Sequence, residues 1–334
     1  MSPDTKSMRI LITGSNGLLG QKIISLLGSN PDFFFGNNTP EVFACSRGEN
    51  RLDESGYYQY ISLDLSDRFL VNKIIHEIRP DCVIHTAAMT NVDACELNTE
   101  ECQKHNIDAT QNIIDSAKKL KKITGINIHL IHLSTDFIFD GENGPYREED
   151  LPNPLSVYGK SKLEAENIML ESGLDVAIVR TIIVYGVTQG MSRSNLVLWV
   201  ADSLSKGKDI SVVTDQFRSP TLAEDLACGC LLIAASRASG IFHLSGPDTY
   251  SIFELANTIS EVFKLPKERI SPIESKTLNQ PAKRPPRTGF IIEKARKTLG
   301  YDPMTFKQGV LFVKQQLEGE NPEYIPRLKK IDPA

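Results

Sequence analysis

The stretch Arg9-Ile-Leu-Ile-Thr-Gly14-Ser-Asn-Gly17-Leu-Leu-Gly20 decides the fold, because an apolar run passes through a glycine turn into an apolar helical pattern. Gly14 suits a tight turn, Gly17 lets a pyrophosphate approach the backbone, and Gly20 lets the helix pack closely on the strand. The free N–H groups at such a helix start favour an anion. Because the spacing is GxxGxxG and not GxGxxG, a purely structural turn is the alternative. The predicted dinucleotide contacts here are Gly14, Asn16, Gly17, Leu18 and Leu19.

Apolar runs alternate with helical patterns outward from this turn through the first half of the chain. The runs cover residues 8–13, 41–45, 60–62, 82–86, 129–134 and 176–180. The helical patterns between them cover residues 18–27, 67–78, 99–120 and 156–171. Strands that are apolar throughout belong to parallel sheets covered on both faces. The predicted fold class is therefore α/β, with a doubly wound parallel, Rossmann-type sheet.

The second half of the chain alternates less strictly and predicts a smaller C-terminal lobe. We expect helices at 192–206, 223–235 and 251–263, and strands at 209–213 and 240–245. Residues 272–289 are rich in proline and basic side chains and predict an ordered loop. Residues 1–180, with returning segments at about 209–245, are assigned to the dinucleotide-binding domain. Residues 181–208 and 246–334 are assigned to the substrate-binding lobe.

The composition is that of an ordinary globular protein, with 40% hydrophobic and 24% charged residues among 334. The net charge of −5 and pI of about 5.8 disfavour nucleic acid or an anionic membrane as a partner. No run approaches the ~18 apolar residues of a membrane span, and the polar beginning of the sequence lacks the features of a secretory signal. The six cysteines have no CxxC spacing. We therefore expect a cytoplasmic protein with reduced thiols and no metal site.

The end of the second predicted strand carries the residues that would choose between cofactors. Ser46 and Arg47 follow this strand, and the first acidic residue after it is Glu49. An acidic residue here binds the ribose 2′-hydroxyl of NAD, whereas a basic residue accommodates the 2′-phosphate of NADP. The planar, multi-donor head of Arg47 suits a phosphate, although a solvated loop arginine is the alternative. The sequence predicts NADPH as the cofactor, with NADH possible.

A tyrosine and a lysine four residues apart, Tyr158 and Lys162, open a predicted helix and share one of its faces. A phenol is a poor acid at neutral pH, and a nearby ammonium lowers its pKa by stabilising the phenolate. Thr135 ends the predicted strand before this helix, at the edge of the sheet where ligands bind. Its hydroxyl can orient a carbonyl group. The spacing alone is common on exposed helix faces, so the prediction of a proton-donating site depends on the three features together.

The glycine turn, the hydroxyl and the Tyr-x-x-x-Lys spacing together resemble the extended short-chain dehydrogenase/reductase family. Further segments are similar to its dTDP-4-dehydrorhamnose reductase branch, and the resemblance extends from residue 8 to about residue 315. These segments are residues 85–96, 134–141, 145–150, 180–186, 215–221 and 283–288.

The resemblance implies a role for each matching residue in the reduction of the C4 keto group of a nucleotide-linked 4-keto-6-deoxysugar, with dTDP-L-rhamnose as product. Thr135 would align the keto group, Tyr158 would deliver the proton, and Lys162 would hold the nicotinamide ribose and tune Tyr158. The further cofactor contacts would be Asp64 and Leu65 near the adenine, with Ala87, Ala88 and Thr90. The substrate contacts would be Asp93, Phe137, Asn195, Arg218 and Arg284. Arg284 has the bidentate head that suits a diphosphate, and surface salt bridges are the alternative for these arginines.

The chain departs from the family pattern at three positions close to the expected sugar. The family has tyrosine where this chain has Phe137, tryptophan where it has Ile183, and glycine where it has Arg218. Two other functions therefore stay open. One is a non-catalytic, cofactor-binding regulatory subunit like that of methionine adenosyltransferase. The other is a sugar-nucleotide epimerase or dehydratase, for which Asp136 would supply an acid or base. A homodimer is the expected assembly.

Overall fold

Strands and helices alternate along the computed structural model, which describes residues 7–52, 56–190, 194–320 and 322–329. In chain order the strands are β1 (Arg9–Thr13), β2 (Glu41–Ser46), β3 (Tyr58–Ser62), β4 (Cys82–His85), β5 (His129–Thr135), β6 (Asp175–Thr181), β7 (Val184–Tyr185), β8 (Ile210–Val213), β9 (Phe217–Arg218), β10 (Thr221–Leu222), β11 (Gly240–His243), β12 (Tyr250–Ser251) and β13 (Ile270–Ile273). The α-helices are α1 (Leu18–Ser29), α2 (Pro31–Phe35), α3 (Arg68–Ile78), α4 (Val92–Leu97), α5 (Thr99–Gln103), α6 (Ala109–Thr124), α7 (Val157–Leu170), α8 (Leu196–Ser205), α9 (Ala223–Ser236), α10 (Ile252–Phe263), α11 (Glu293–Leu299) and α12 (Phe306–Leu317).

The main sheet has seven strands in the order β11-β6-β5-β4-β1-β2-β3. All of its pairings are parallel, so the predicted doubly wound fold class is confirmed. The chain reverses direction across the sheet between β1 and β4, and a crevice forms at such a point outside the carboxyl ends of the strands. In the register, Thr13 lies beside Cys45 and His85. The carboxyl ends of these strands therefore meet at one edge.

Two apolar layers cover the sheet, one on each face. Side chains point alternately to the two faces along each strand, so every strand contributes residues to both layers. Ile10 and Ile12 of β1 belong to the layer formed with α1 and α9. Leu11 belongs to the opposite layer, formed with α3 and α6. Both faces are buried, which explains why the strands are apolar at every position. The six cysteines are buried free thiols, and no helix among the described residues is long and apolar enough to cross a membrane.

The smaller lobe is built around α10, which packs against α8, α12 and β8. β8 pairs in parallel with β13, with Ile210 beside Ile270. The predicted return of residues 209–213 to the main domain is therefore wrong. The chain reaches that domain again with α9, which packs on α1, and β11, which pairs with β6.

Two other predicted assignments differ from the structure. Residues 246–334 do not all belong to the lobe, because α11 packs on α9 and β11. The predicted helix at 99–120 is three segments, since a π-helix at Lys104–Asp108 separates α5 from α6. The predicted strands of the first half match the observed ones to within a residue or two. Ser192, the predicted start of the helix at 192–206, lies outside the described residues, and α8 begins at Leu196.

Candidate active site

The turn between β1 and α1 requires glycine at two positions, because a Cβ atom there would clash with neighbouring atoms. Gly14 has a φ of +70°, and a Cβ there would lie 2.7 Å from the backbone nitrogen of Ala87. A Cβ on Gly20 would collide with the carbonyl oxygen of Gly14. No side chain among the described residues caps the start of α1, where Gly17 is the N-cap. The first N–H groups of the helix are thus available to an anion such as a pyrophosphate.

A cavity of about 1150 Å³ opens in front of this turn, along the carboxyl edge of the sheet. The structure brings together along its wall every residue that the sequence analysis assigned to the cofactor. These are Gly14, Asn16, Gly17, Leu18, Leu19, Ser46, Arg47, Asp64, Leu65, Ala87, Ala88, Thr90, Tyr158 and Lys162. The cavity wall also includes Thr135, Phe137, Asn195 and Ile183, the last of which departs from the family pattern. The described residues that line it do not include Asp93, Arg218 or Arg284.

The end of the cavity near β2 and β3 contains the cationic side chain of Arg47 and the acidic side chain of Asp64. Arg47 lies in the cavity wall, with its Nη1 3.3 Å from Nε2 of His105. Hydrogen bonds from the backbone and hydroxyl of Ser66 hold the pKa of Asp64 below its usual range, although burial opposes them. The side chain of Asn16 is already used, since its Nδ2 donates to the carbonyl of Glu49 at 2.8 Å. Asn16 therefore shapes the loop after β2.

Tyr158 and Lys162 enter the cavity from the first turns of α7. The hydroxyl of Ser156 caps this helix by accepting the N–H of Gly159 at 3.1 Å. Burial lowers the pKa of Lys162 to about 8. Burial also raises the pKa of Tyr158 above its usual value, and the hydrogen bond with Thr135 opposes this rise only in part. The phenol pKa in this structure is therefore set mainly by burial, which outweighs the influences that lower it.

Thr135, at the end of β5, lies between Tyr158 and the segment that follows the strand. Its hydroxyl donates to Oδ1 of Asp136 at 3.2 Å and accepts the N–H of Phe137 at the same distance. The ring of Phe137 packs edge-on against the ring of Tyr158, with centroids 5.8 Å apart. These contacts hold the phenol on two sides. A hydroxyl, a phenol and an ammonium thus face one cavity beside a turn suited to a pyrophosphate.

Comparison with known proteins agrees with this arrangement. The model of the RmlD substrate binding domain family matches residues 8–318. The chain belongs to that family. It is 32% identical over 270 residues to the beta subunit of methionine adenosyltransferase 2 from Bos taurus, covering 79% of this chain and 75% of that protein. It is 30% identical over 306 residues to a probable low-salt glycan biosynthesis reductase from Haloferax volcanii, covering 90% and 95%.

A solved structure supports the same relationship. A dTDP-4-dehydrorhamnose reductase from Bacillus anthracis, crystallised in complex with NADP, superimposes with a TM-score of 0.78 at 26% identity. The match covers 93% of this chain and 99% of that one. The resemblance drawn from the sequence motifs is thereby confirmed at the level of the family.

Four residues predicted to contact substrate are already engaged within this RmlD-family chain. Arg284 forms a bidentate pair with Asp93, at 3.1 and 2.7 Å, which is the salt-bridge alternative. Arg218 is only 2% exposed and lies 3.6 Å from Asp136. The predicted place of Arg218 in the wall of the substrate site is therefore wrong, because its guanidinium is buried behind that wall. Asn195 lines the cavity, but its side chain caps α8 and donates to the carbonyl of Gly186 at 2.8 Å.

Two buried residues that no sequence motif indicated hold the RmlD-family site together. Nε2 of His132, on β5, lies 3.1 Å from Nζ of Lys162. Asn106, in the π-helix, donates to the hydroxyl of Ser161 at 3.0 Å and accepts the N–H of Met89 at 2.7 Å. No spacing in the sequence links residue 132 to residue 162. The π-helix changes which face of the segment carries residue 106, so a regular helical period could not have found it.

Proposed function

We propose that this protein is an NADPH-dependent reductase of the C4 keto group of a nucleotide-linked 4-keto-6-deoxysugar, of the dTDP-4-dehydrorhamnose type. The observation that carries the proposal is the meeting of Thr135, Tyr158 and Lys162 in the same cavity as the uncapped glycine turn. A glycine turn alone fits many nucleotides. A buried phenol and ammonium beside it fit a reaction in which a carbonyl oxygen gains a proton.

The donors around the cavity fit a nicotinamide dinucleotide. The N–H groups at the start of α1 suit its pyrophosphate, and Arg47 suits a 2′-phosphate. The Lys162 ammonium has three hydrogens, and His132 accepts one of them, so others can reach ribose hydroxyls. When bound, NADPH supplies a hydride to the substrate carbon. Tyr158 then donates its proton to the oxygen at that carbon, and its raised pKa keeps it protonated at neutral pH until that moment.

A second cavity, in the smaller lobe, supports a nucleotide-linked substrate. Its volume is about 260 Å³, and its wall includes Trp199, Gln216, Gln280 and Arg284. An indole face can stack on a base, amides can bond its edge, and a guanidinium can bind phosphate. Arg284 also pairs with Asp93 of α4, whose neighbour Val92 lines the larger cavity. Asp93 and Val92 thus connect the wall of the larger cavity to a residue that lines the smaller one.

The experiment that tests the function is anaerobic incubation of the purified protein with NADPH and dTDP-4-keto-6-deoxyglucose, with and without a 3,5-epimerase. NADPH absorbance should fall only when the ketosugar is present. The protein with the substitution Tyr158→Phe should keep its affinity for NADPH and lose about 10²–10⁴-fold in rate, which is the usual contribution of a positioned general acid. Wild-type protein that consumes no NADPH with any nucleotide 4-ketosugar would refute the proposal.

A second candidate function is a cofactor-binding subunit of a methionine adenosyltransferase. The 32% identity to the bovine beta subunit favours it, as does the burial of Arg218 at a position where reductases of this branch have glycine. This function predicts NADP binding without turnover and co-elution with a methionine adenosyltransferase in gel filtration. NADPH consumption with a ketosugar together with separate elution would exclude it.

A further inference from the structure

A buried histidine, His132 of β5, lies against the ammonium of Lys162 without lining the large cavity itself. Its Nε2 is 3.1 Å from Nζ of Lys162. His132 is only 1% exposed and is not among the described residues that line the cavity, whereas Lys162 is. Glu166, one turn further along α7, is bonded at 2.8–3.2 Å to the guanidinium of Arg180. The Lys162 ammonium is therefore held by His132 and not by the acid of its own helix.

The chemistry of the two groups determines which of them donates. An ammonium has hydrogens and no lone pair, so Lys162 can only donate while it is charged. Burial lowers the pKa of Lys162 to about 8, and burial together with the charge of Lys162 holds the pKa of His132 well below its usual range. At pH 7, Lys162 is therefore charged and His132 is neutral. Nε2 of His132 must then accept, so the single hydrogen of this imidazole is on Nδ1.

A second histidine of β5, His129, provides a contrast. Nδ1 of His132 has no hydrogen-bond partner in the described part of the chain, so its tautomer is favoured by the contact with Lys162 and not by Nδ1. Nε2 of His129 lies 3.1 Å from the carbonyl oxygen of Ala238. A carbonyl oxygen only accepts, so the hydrogen of His129 is on Nε2. The two buried histidines of this strand are therefore expected in opposite tautomers.

We propose that His132 is a positioning residue that accepts a hydrogen from Lys162 through Nε2 and so keeps the ammonium charged and in place at the cavity wall. Two of the three ammonium hydrogens are then left for a ligand. The effect on the cofactor rests on the function proposed above, in which Lys162 holds the nicotinamide ribose. The contact and its direction do not depend on that function.

The groups packed around the pair leave the charge on Lys162. The ring centroid of His85, on β4, is 5.2 Å from that of His132, and burial lowers the pKa of His85 to about 3, so it is neutral as well. Glu166 favours the charged form of Lys162, although its carboxylate is paired with Arg180. Removal of the acceptor at His132 should therefore lower the pKa of Lys162, since a hydrogen bond to the charged form favours that form. The titratable groups that face the pair are His85, Cys102 of α5, and Tyr158 and Glu166 of α7.

The test is the titration of Lys162 by NMR in full-length protein labelled with ¹³Cε-lysine, the Lys162 signal being assigned from its absence in Lys162→Arg. The wild-type signal should titrate near pH 8. His132→Leu fills the buried place with an apolar side chain that cannot accept a hydrogen bond, so Lys162 should titrate about one pH unit lower or more. His132→Gln, whose amide oxygen can accept from Nζ, should recover at least half of this shift.

His129→Leu is the matched control, because it removes a buried histidine of the same strand that contacts a backbone carbonyl. Lys162 should titrate there as in the wild type. An unchanged titration in His132→Leu, or an equal shift in His129→Leu, would overturn the proposal. Wild-type spectra of ¹⁵N-labelled histidine at pH 7 provide a check that does not depend on the stability of His132→Leu. They should show the hydrogen of His132 on Nδ1 and that of His129 on Nε2, and a His132 hydrogen on Nε2 would contradict the proposal.

The affinity for NADPH, measured by fluorescence over the same pH range, separates this inference from the proposed function. If Lys162 holds the cofactor, the wild-type affinity should fall as the pH rises through about 8, and in His132→Leu it should fall about one pH unit earlier. Loss of a purely structural side chain would lower the affinity by the same factor at every pH. If Lys162 titrates lower in His132→Leu while the wild-type affinity does not depend on pH, the contact is confirmed and the role proposed for Lys162 fails.

Discussion

At the scale of single residues, Lys162 is the group whose charge should set the pH range of the reaction. Burial lowers its pKa to about 8, so it is charged below that pH and neutral above it. Since the role proposed for the ammonium is to hold the nicotinamide ribose, we expect kcat/KM for NADPH to be constant below about pH 7 and to fall as the pH rises through about 8. The pH dependence of kcat/KM for NADPH, measured while little of the ketosugar has been converted, tests this prediction.

The conservative variant Lys162→Arg separates this explanation from a general effect of alkali. Arginine keeps its charge at every pH reached in proteins, so the fall near pH 8 should disappear even if the rate is lower. A fall at the same pH in both proteins would contradict the assignment to Lys162.

Arg47 is the residue that should distinguish NADPH from NADH. It lies in the cavity wall with His105 beside it, so its removal should take away the charged donor proposed for the 2′-phosphate. Arg47→Ala should raise the KM for NADPH about tenfold or more, which corresponds to about 1.5–3 kcal/mol for a charge-assisted hydrogen bond. The KM for NADH should stay nearly constant.

Arg68→Ala is a matched control, because it removes an exposed arginine that pairs with Asp115 outside the cavity. It should alter neither KM. An equal loss of affinity for NADPH and NADH in Arg47→Ala would show that Arg47 does not read the 2′-phosphate.

At the scale of elements, the turn from β1 to α1 offers two glycines with different tasks. A Cβ on Gly20 would collide with the carbonyl oxygen of Gly14 and lie 2.7 Å from Cα of Ser15, so strand and helix would have to separate. Gly20→Ala should lower the free energy of unfolding by about 1–3 kcal/mol, the usual cost of overpacking. Urea denaturation measures this loss.

Gly17→Ala is the comparison within the same turn. Its Cβ would meet only the carbonyl oxygen of Gly14, at 3.1 Å, and Gly17 lines the cavity. This variant should unfold at nearly the wild-type urea concentration and bind NADPH more weakly in a fluorescence titration. A Gly20→Ala protein as stable as Gly17→Ala would contradict the close packing of α1 on the turn.

At the scale of the whole molecule, the contact between Arg284 and Asp93 joins the lobe to the main domain. Arg284 lines the smaller cavity, and the proposed function assigns it to the substrate phosphate at the cost of its pairing with Asp93. Arg284→Ala should raise the KM for the nucleotide sugar about tenfold and leave that for NADPH unchanged, since a charge-assisted bond to phosphate is lost.

Its neighbour Arg287 provides the control for this prediction. The Arg287 guanidinium stacks 4.3 Å from the ring centroid of Phe217. Arg287→Ala should affect stability more than substrate affinity. If Arg284→Ala changed both KM values equally, or neither, Arg284 would not be a substrate contact.

The sequence by itself determined the parallel sheet, the glycine turn and the residues along the large cavity. The sheet and the turn follow from local rules, whereas many of the cavity residues were assigned through the family resemblance. Strands buried on both faces are apolar throughout, helices repeat every ~3.6 residues, and the carboxyl ends of parallel strands face a common crevice. Thr135, Tyr158 and Lys162 could therefore be assigned to one edge before any coordinates were known.

Only the tertiary structure decided which distant residues meet. It paired β8 with β13, inserted a π-helix before α6, and placed His132 against Lys162. It also buried Arg218 on Asp136, where the sequence had suggested an open substrate contact. Such pairings depend on burial and on the partners available across the fold. The spacing of residues along the chain does not predict these pairings, because spacing relates only residues within a few helical turns or one strand of each other.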